Sequence, residues 1–487
     1  MATERAAGVG ATTFRAARNA SVRGLAEIVG KFATLVWMVV AARVLSQQDF
    51  GAVSYAMALM YLLSAFAAWG FDSGVVRRGS AEVALLPRVY LGSQVWKTAL
   101  AALVFGMAAL LTLGSRPTLA SWLVLVLMLL AGFPELWSHT ARAVASVRQS
   151  PAGVSTALVV HRLVTAAMIV AALAAGLGPL GLAAGFLGGA LAGWAAHHVA
   201  VRRLGVRPAL HGLTRADLRL AASGTFLIGL SGLALMLLFR VDMVLLARLR
   251  GDVEVADYSV AYRLLETVLF VSYAVHQAIF PVMSATTSGS RQRSAYERAL
   301  AVAGFIYLPF AVVSVLEGDA VVGLLFGGDY AVESGLALAW LAPAPLFFAA
   351  ALFGTALLMA LLRTRAMLLA SCVALVTNVV LNLVLIPPYG SAGAAAATTV
   401  AYAVQTVVVL AILRSATPRP RFLPPLLPAA AASIGLAATL AALDAPVLIE
   451  LPVGMAVYLL GWVLVVRRFA PDQLEVTRHL LSRKVRR

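Results

Sequence analysis

Runs of about 20 apolar residues recur from one end of this 487-residue chain to the other, and they constrain the fold more than any motif does. A helix of that length crosses the hydrocarbon core of a bilayer. Only helices and closed barrels satisfy their backbone hydrogen bonds there. A barrel would show shorter segments of alternating polarity, so these continuous runs predict an all-α chain. Composition agrees: 61% of residues are hydrophobic and 12% charged, against about 25% charged in soluble domains.

The runs predict helices at 21–45, 51–71, 89–113, 119–146, 154–177 and 180–200, then at 220–248, 254–285, 297–316, 333–361, 366–386 and 391–413, and last at 425–443 and 447–466. That is a polytopic membrane protein of about 14 transmembrane helices, arranged as two six-helix lobes and two C-terminal helices. The predicted parts are a cytoplasmic lead-in at 1–20, a lobe at 21–200, a basic connector at 201–219, a lobe at 220–413, two further spans within 414–466, and a basic tail at 467–487.

Charge tests this count, because Lys and Arg concentrate in cytoplasmic loops. Segments assigned inward carry Arg5, Arg15 and Arg18; Arg77, Arg78 and Arg88; Arg142 and Arg148; five arginines in the connector; and further clusters to the tail. Outward loops carry Arg116, Arg248 and Arg250. Both termini are therefore expected inside a bacterial cytoplasmic membrane. The net charge of +17 is spread over these short loops and not over one soluble domain, which argues against nucleic acid as a partner. The lead-in has no secretory-signal pattern. Cys372 is the single cysteine, which excludes an intrachain disulfide.

The chain also repeats itself. At a shift of 205, Ala42, Arg43, Ser54 and Ala56 fall on Ala247, Arg248, Ser259 and Ala261, with Asp49 opposite Glu254. At a shift of 209, Pro179, Gly181 and Ala183 fall on Pro388, Gly390 and Ala392. Two echoes at nearly one shift predict two similar halves related by a pseudo-twofold repeat.

The motifs RNASVRG (Arg18–Gly24), VLSQQDFGAVSYA, WGFDSGVVRR (Trp69–Arg78), RVDMVLLARLRGDVEVADYSVAYRL (Arg240–Leu264), LFGGDY (Leu325–Tyr330) and NVVLNLVLIPPYGSAGAA (Asn378–Ala395) resemble the polysaccharide-transporter family. These are the Wzx-type flippases, in the superfamily of the multidrug exporters and the lipid II flippase. The resemblance covers about residues 15–415. It implies two lobes around a cavity open alternately to either face, and an undecaprenyl-diphosphate-linked oligosaccharide as cargo. It admits other polysaccharide assembly proteins as partners beside the lipid bilayer, and no cofactor. One departure is Ala256, which stands where the first half has Gly51.

A diphosphate crossing an apolar slab needs cations along a hydrated path, and ionisable residues inside spans default to functional candidates. Arg23, Glu27 and Lys31 form one stripe on the first helix, either a charged cavity wall or an internally paired set. Arg240 and Asp242 lie in an otherwise apolar span. Asp242 matches an acidic position of the family and is a coupling candidate or a fixed partner of a basic residue. Arg263, Glu266, Tyr273 and Gln277 share a stripe suited to sugars or to an interhelical seam. Arg162 reads as a lone cation, a phosphate ligand or a snorkelling side chain. Candidate cargo contacts are thus Arg23, Lys31, Arg162, Arg240, Arg263, Tyr273 and Gln277, with Glu27, Asp242 and Glu266 as coupling acids.

Glu135, His139 and Arg142 read as a salt-bridged helix end, and Asp72 as an inner-end contact near Arg77 and Arg78. Asn378 and Asn382 are expected to bond across helices, and His197 and His198 to mark a helix end without a metal. Residues 317–332 read as a packed external turn. No phosphate-binding loop, catalytic triad or large external loop is visible, which favours a transporter over an enzyme. The alternatives are a multidrug-type exporter, a glycan polymerase or ligase, and a silent scaffold of an assembly complex.

Overall fold

The computed structural model describes residues 24–114, 118–207, 213–286, 288–415 and 419–469. Every regular element among them is helical. Among the described residues thirteen helices are long and apolar enough to cross a membrane, so the chain is a multi-pass membrane protein. It divides into two compact units, Met1–Ala247 and Arg248–Arg487.

The first unit begins with α1 (Gly24–Val44). Ser46 then caps α2 (Gln47–Ala68), its hydroxyl accepting from the Asp49 N–H at 3.1 Å. The sequence predicted one helix to residue 71. Instead Trp69 and Gly70 adopt left-handed backbone, at φ 35° and 72°, and the chain restarts as α3 (Phe71–Ala81). Then come α4 (Leu86–Gly114), α5 (Leu119–Val147), α6 (Ala152–Ala174) and α7 (Gly178–Arg203).

The connector contains a short helix, α8 (Arg215–Ala222), started by a capping box between Thr214 and Asp217. It packs on α3 and α4. Arg78 donates to the Ser223 and Ala221 carbonyls, and Arg77 to that of Ser223. The last helix of this unit is α9 (Phe226–Leu249).

The second unit comprises α10 (Asp252–Ser284), α11 (Gly289–Leu316), α12 (Gly318–Phe326), α13 (Gly328–Leu341), α14 (Ala344–Ala360), α15 (Thr364–Leu413), α16 (Leu427–Ala442) and α17 (Val447–Phe469). The turn predicted at 317–332 is helical. Val322 and Phe326 of α12 are fully buried, and Gly327 at φ 114° makes the break before α13. The helix predicted at 333–361 is split at Ala342–Pro343 into α13 and α14.

The helices predicted at 366–386 and 391–413 form one 50-residue element, non-helical only at Gly390 (φ 53°, ψ −128°). Each half exceeds the roughly 20 residues a crossing needs. If each half of α15 crosses by itself, thirteen candidate spans become fourteen.

Apolar surface gives little drive for helices to associate inside lipid, so small residues that allow close approach matter. Gly185, Gly189 and Gly193 of α7 lie against Ile169, Thr165 and His161 of α6; a Cβ at Gly189 or Gly193 would clash, and one at Gly185 would press on the α6 backbone.

Candidate functional site

The polar residues of the first unit converge. The glycine stripe of α7 brings α6 close enough for the His161 ring to lie on Gly193. His197, one turn on, has Nδ1 2.8 Å from the Gly193 carbonyl. The two imidazoles meet edge-on with centroids 6.5 Å apart. Facing them from α5 is Glu135, 4% exposed. One oxygen of its carboxylate accepts from Arg162 at 3.2 Å and lies 3.4 Å from His161 Nε2. Arg162 is therefore no lone cation, and Glu135 is no helix-end ornament.

The stem of Arg162 runs over Gly30 of α1. The guanidinium of Arg240 on α9 sits 5.4 Å from the centroid of the Tyr61 ring on α2, within cation–π range. Two cations named from sequence are thus held by partners inside this unit, Arg162 by Glu135 and Arg240 by Tyr61.

A second ion pair lies between α3, α4 and α5. Lys97 is fully buried, and its ammonium donates to Asp72 at 2.5 Å, to Thr140 Oγ1 at 2.8 Å and to the Leu136 carbonyl at 3.3 Å. Asp72 therefore serves Lys97 and not Arg77 or Arg78. Sequence reading passed over Lys97 and Tyr61. A lysine in the middle of an apolar run was signal enough for the first; Tyr61 carried none.

Of the other candidates in this unit, Arg23 lies outside the described residues. Glu27 is exposed and Lys31 half-buried on α1, while Asp242 is fully buried on α9 with Oδ1 2.8 Å from the Met243 N–H.

In the second unit Arg263 and Glu266 form an ion pair at 2.8 Å across one turn of α10. Tyr273 is 40% exposed, its ring 5.6 Å from that of Phe348, and Gln277 is exposed. Asn378 donates to Thr398 across the Gly390 bend at 3.4 Å, and Asn382 to the Asn378 carbonyl at 2.8 Å. Among the described residues no group of three or more His, Cys, Asp or Glu could hold a metal ion.

Chemically, guanidinium groups in a membrane-embedded cluster suit a phosphate, which accepts paired N–H bonds. Outside the spans, two hydrogen bonds from Thr214, the backbone one first, hold the Asp217 carboxyl below its ordinary range.

The family model described as polysaccharide biosynthesis protein matches residues 16–287, more than half of the chain. A Haloferax volcanii protein described as a probable low-salt glycan biosynthesis flippase, Agl15, is 25% identical over 171 residues. That alignment covers 34% of this chain and 36% of the relative, so the match spans about a third of the relative's length. Among solved structures, the lipid II flippase MurJ in an inward closed conformation superposes with a TM-score of 0.76 at 14% identity, covering 91% of this chain and 98% of that one. An inward-facing multidrug resistance transporter of the MATE family gives 0.61 at 15% identity, covering 88% and 100%. The fold is shared with both.

Proposed function

The chain belongs to the polysaccharide biosynthesis protein family, and from that premise we propose that it is a flippase for undecaprenyl-diphosphate-linked oligosaccharide, working by alternating access. The cargo's head group would cross from the cytoplasmic to the outer leaflet of a bacterial cytoplasmic membrane, both protein termini being cytoplasmic, for assembly of a surface polysaccharide. No bond in the cargo is made or broken.

The observation that carries this reading is the placing of two guanidinium groups inside membrane-spanning helices, Arg162 against Glu135 and Arg240 over the Tyr61 ring. Placing guanidinium groups there is costly, and an anionic cargo gives the arrangement a use. Lys31, Arg263, Tyr273 and Gln277 are the proposed remaining contacts within the described residues, with Arg23 beyond them. The proposed coupling acids are Asp242, which is fully buried, Glu266, which pairs with Arg263, and Glu27, which is exposed. The sequence-defined lobes, 21–200 and 220–413, are the proposed moving repeats.

The test is the leaflet distribution of lipid-linked glycan in cells depleted of this protein and complemented with variants. A charge-assisted hydrogen bond is worth about 1.5–3 kcal/mol, or roughly 10- to 100-fold in rate. Arg162→Ala and Arg240→Ala should each leave complete units on the cytoplasmic leaflet, with transfer slowed by at least that lower factor. Units that reach the outer leaflet normally but fail to lengthen would replace this reading with a polymerase. Normal transfer together with lost drug efflux would replace it with an exporter.

A further inference from the structure

The two sequence echoes converge on one contact in the second unit. The first echo contains Glu254 and the second contains Gly390. Gly390 is the single non-helical residue of α15, and a Cβ there would run into the Glu254 carboxylate. That carboxylate accepts the N–H of Ser391, the first residue past the bend, at 2.7 Å. Its other oxygen accepts from Arg250 Nη2 at 3.0 Å and Nε at 3.3 Å. Arg250 Nη1 donates in turn to the Pro387 carbonyl, on the near side of the bend, at 3.3 Å.

A helix broken in the middle gains two new ends, with up to four bare carbonyls before the break and up to four bare N–H groups after it. It also gains a negative dipole end before the break and a positive one after it. Arg250 meets the carbonyl end and Glu254 meets the N–H end.

The bland alternative is an ordinary i,i+4 ion pair at the start of α10, worth a few tenths of a kcal/mol. Three observations oppose it. An arginine four residues before a glutamate is the less favourable order for their own helix. Glu254 stands three residues after the N-cap Gly251, where an acid ordinarily serves its own helix start, yet α10 has no side-chain cap bond. Both side chains reach out to α15. In the first unit the counterpart, Asp49, instead accepts from the Ser46 hydroxyl at 2.9 Å. There α6 and α7 are separate helices, with no continuous element to clamp.

We propose that Arg250 and Glu254 are a positioning pair that caps both faces of the α15 break and fixes the bend at Gly390 for transport. The pairing is polar in direction: the cation belongs before the break and the anion after it.

That direction gives the test. Full-length protein in nanodiscs is followed by hydrogen–deuterium exchange, which needs no cargo and so stands apart from the flippase reading. Glu254→Ala should speed exchange of the amides at 391–394 at least tenfold, with α5 and α6 unchanged. The exchanged pair Arg250→Glu with Glu254→Arg restores an ion pair but puts the wrong charge at each helix end, so exchange should stay fast. If Glu254→Ala does not fold, Glu254→Gln, which keeps an acceptor and loses the charge, should still exchange several-fold faster.

In the leaflet assay the exchanged pair should slow transfer at least fivefold. Unchanged exchange in Glu254→Ala, or in Glu254→Gln where that stands in, overturns the proposal. So does restored protection in the exchanged pair. Wild-type transfer despite loosened amides would reduce the pair to a local cap and overturn its positioning role.

Discussion

Lys97 and Asp72 make an asymmetric pair, since the lysine side chain is fully buried and the aspartate side chain 30% exposed. Removing one partner of a buried pair costs mostly through the charge left behind. Asp72→Asn strands an ammonium inside the helices and should cost about 3 kcal/mol, while Lys97→Met leaves an aspartate that water can reach and should cost about half of that. Thermal unfolding in one detergent ranks the two, and the reverse order would refute the assignment. Asp257 offers the opposite case. It is 3% exposed, Ser334 donates to it at 3.1 Å, and its charged neighbours are Glu254 and Glu333, with no basic partner among the described residues. Asp257→Asn should therefore melt no lower than wild type, whereas Asp257→Leu leaves the Ser334 hydroxyl without its acceptor and should cost about 1–2 kcal/mol. The sequence showed which residues were expensive in a membrane, but not which partners offset the expense. Helical spacing names neighbours within one element. The Arg162–Glu135 and Lys97–Asp72 pairs join residues 27 and 25 positions apart, and no periodicity reports such contacts.

Helix existence was legible because a 20-residue apolar run has few alternatives in a bilayer. Helix breaks were less so. The predicted helices stop at 386 and resume at 391, yet the chain stays helical to Tyr389 and turns at Gly390. The Pro387 carbonyl would ordinarily accept from the Ser391 N–H, but that N–H goes to Glu254 and Arg250 serves the carbonyl instead. Gly390→Ala should then cost more than the usual 1–2 kcal/mol of a left-handed alanine, because the new methyl also displaces Glu254. Gly106→Ala is the control: its Cβ meets nothing within 4 Å, and helix propensity should make it neutral or stabilising by up to about 1 kcal/mol. Equal melting shifts for the two would contradict this account. The short helix α8 was hidden in a connector that looked merely basic. Its box depends on an ionised Asp217, whose folded-state pKa is depressed by Thr214. A depressed carboxyl contributes in full above its unfolded pKa, near 3.9, and the contribution is lost as pH falls through the folded value. Exchange of the α8 amides, corrected for intrinsic rates, should accelerate from about pH 4 downward and stay flat between pH 5 and 8. Thr214→Ala should produce the same loosening at neutral pH, worth about 1 kcal/mol.

The 50 residues of α15 decide the topology of the whole molecule. As a straight rod they would reach roughly 75 Å, more than twice the hydrocarbon thickness of about 30 Å. The bend at Gly390 resolves this if the halves cross separately. The count of spans then becomes even, and the two ends of the chain lie on one side. If α15 crossed once, thirteen spans would put them on opposite sides. Charge favours the even count: Arg363 and Arg365 before α15 and Arg414, Arg419 and Arg421 after it are basic clusters that the positive-inside rule assigns to the same face. The bend itself then lies on the other face, as does Arg250, which binds it. A reporter that is active only in the cytoplasm should be active when fused after Arg487 and when inserted in the connector at 208–212, and silent when inserted at Gly251. The native Cys372 is exposed, so it is replaced before single cysteines at Tyr389 and Ser415 are probed with an impermeant thiol reagent. Labelling of Tyr389→Cys from outside and of Ser415→Cys only after permeabilisation shows that the second half of α15 crosses by itself. Both residues labelled from one side would leave that half uncrossed and return the count to thirteen.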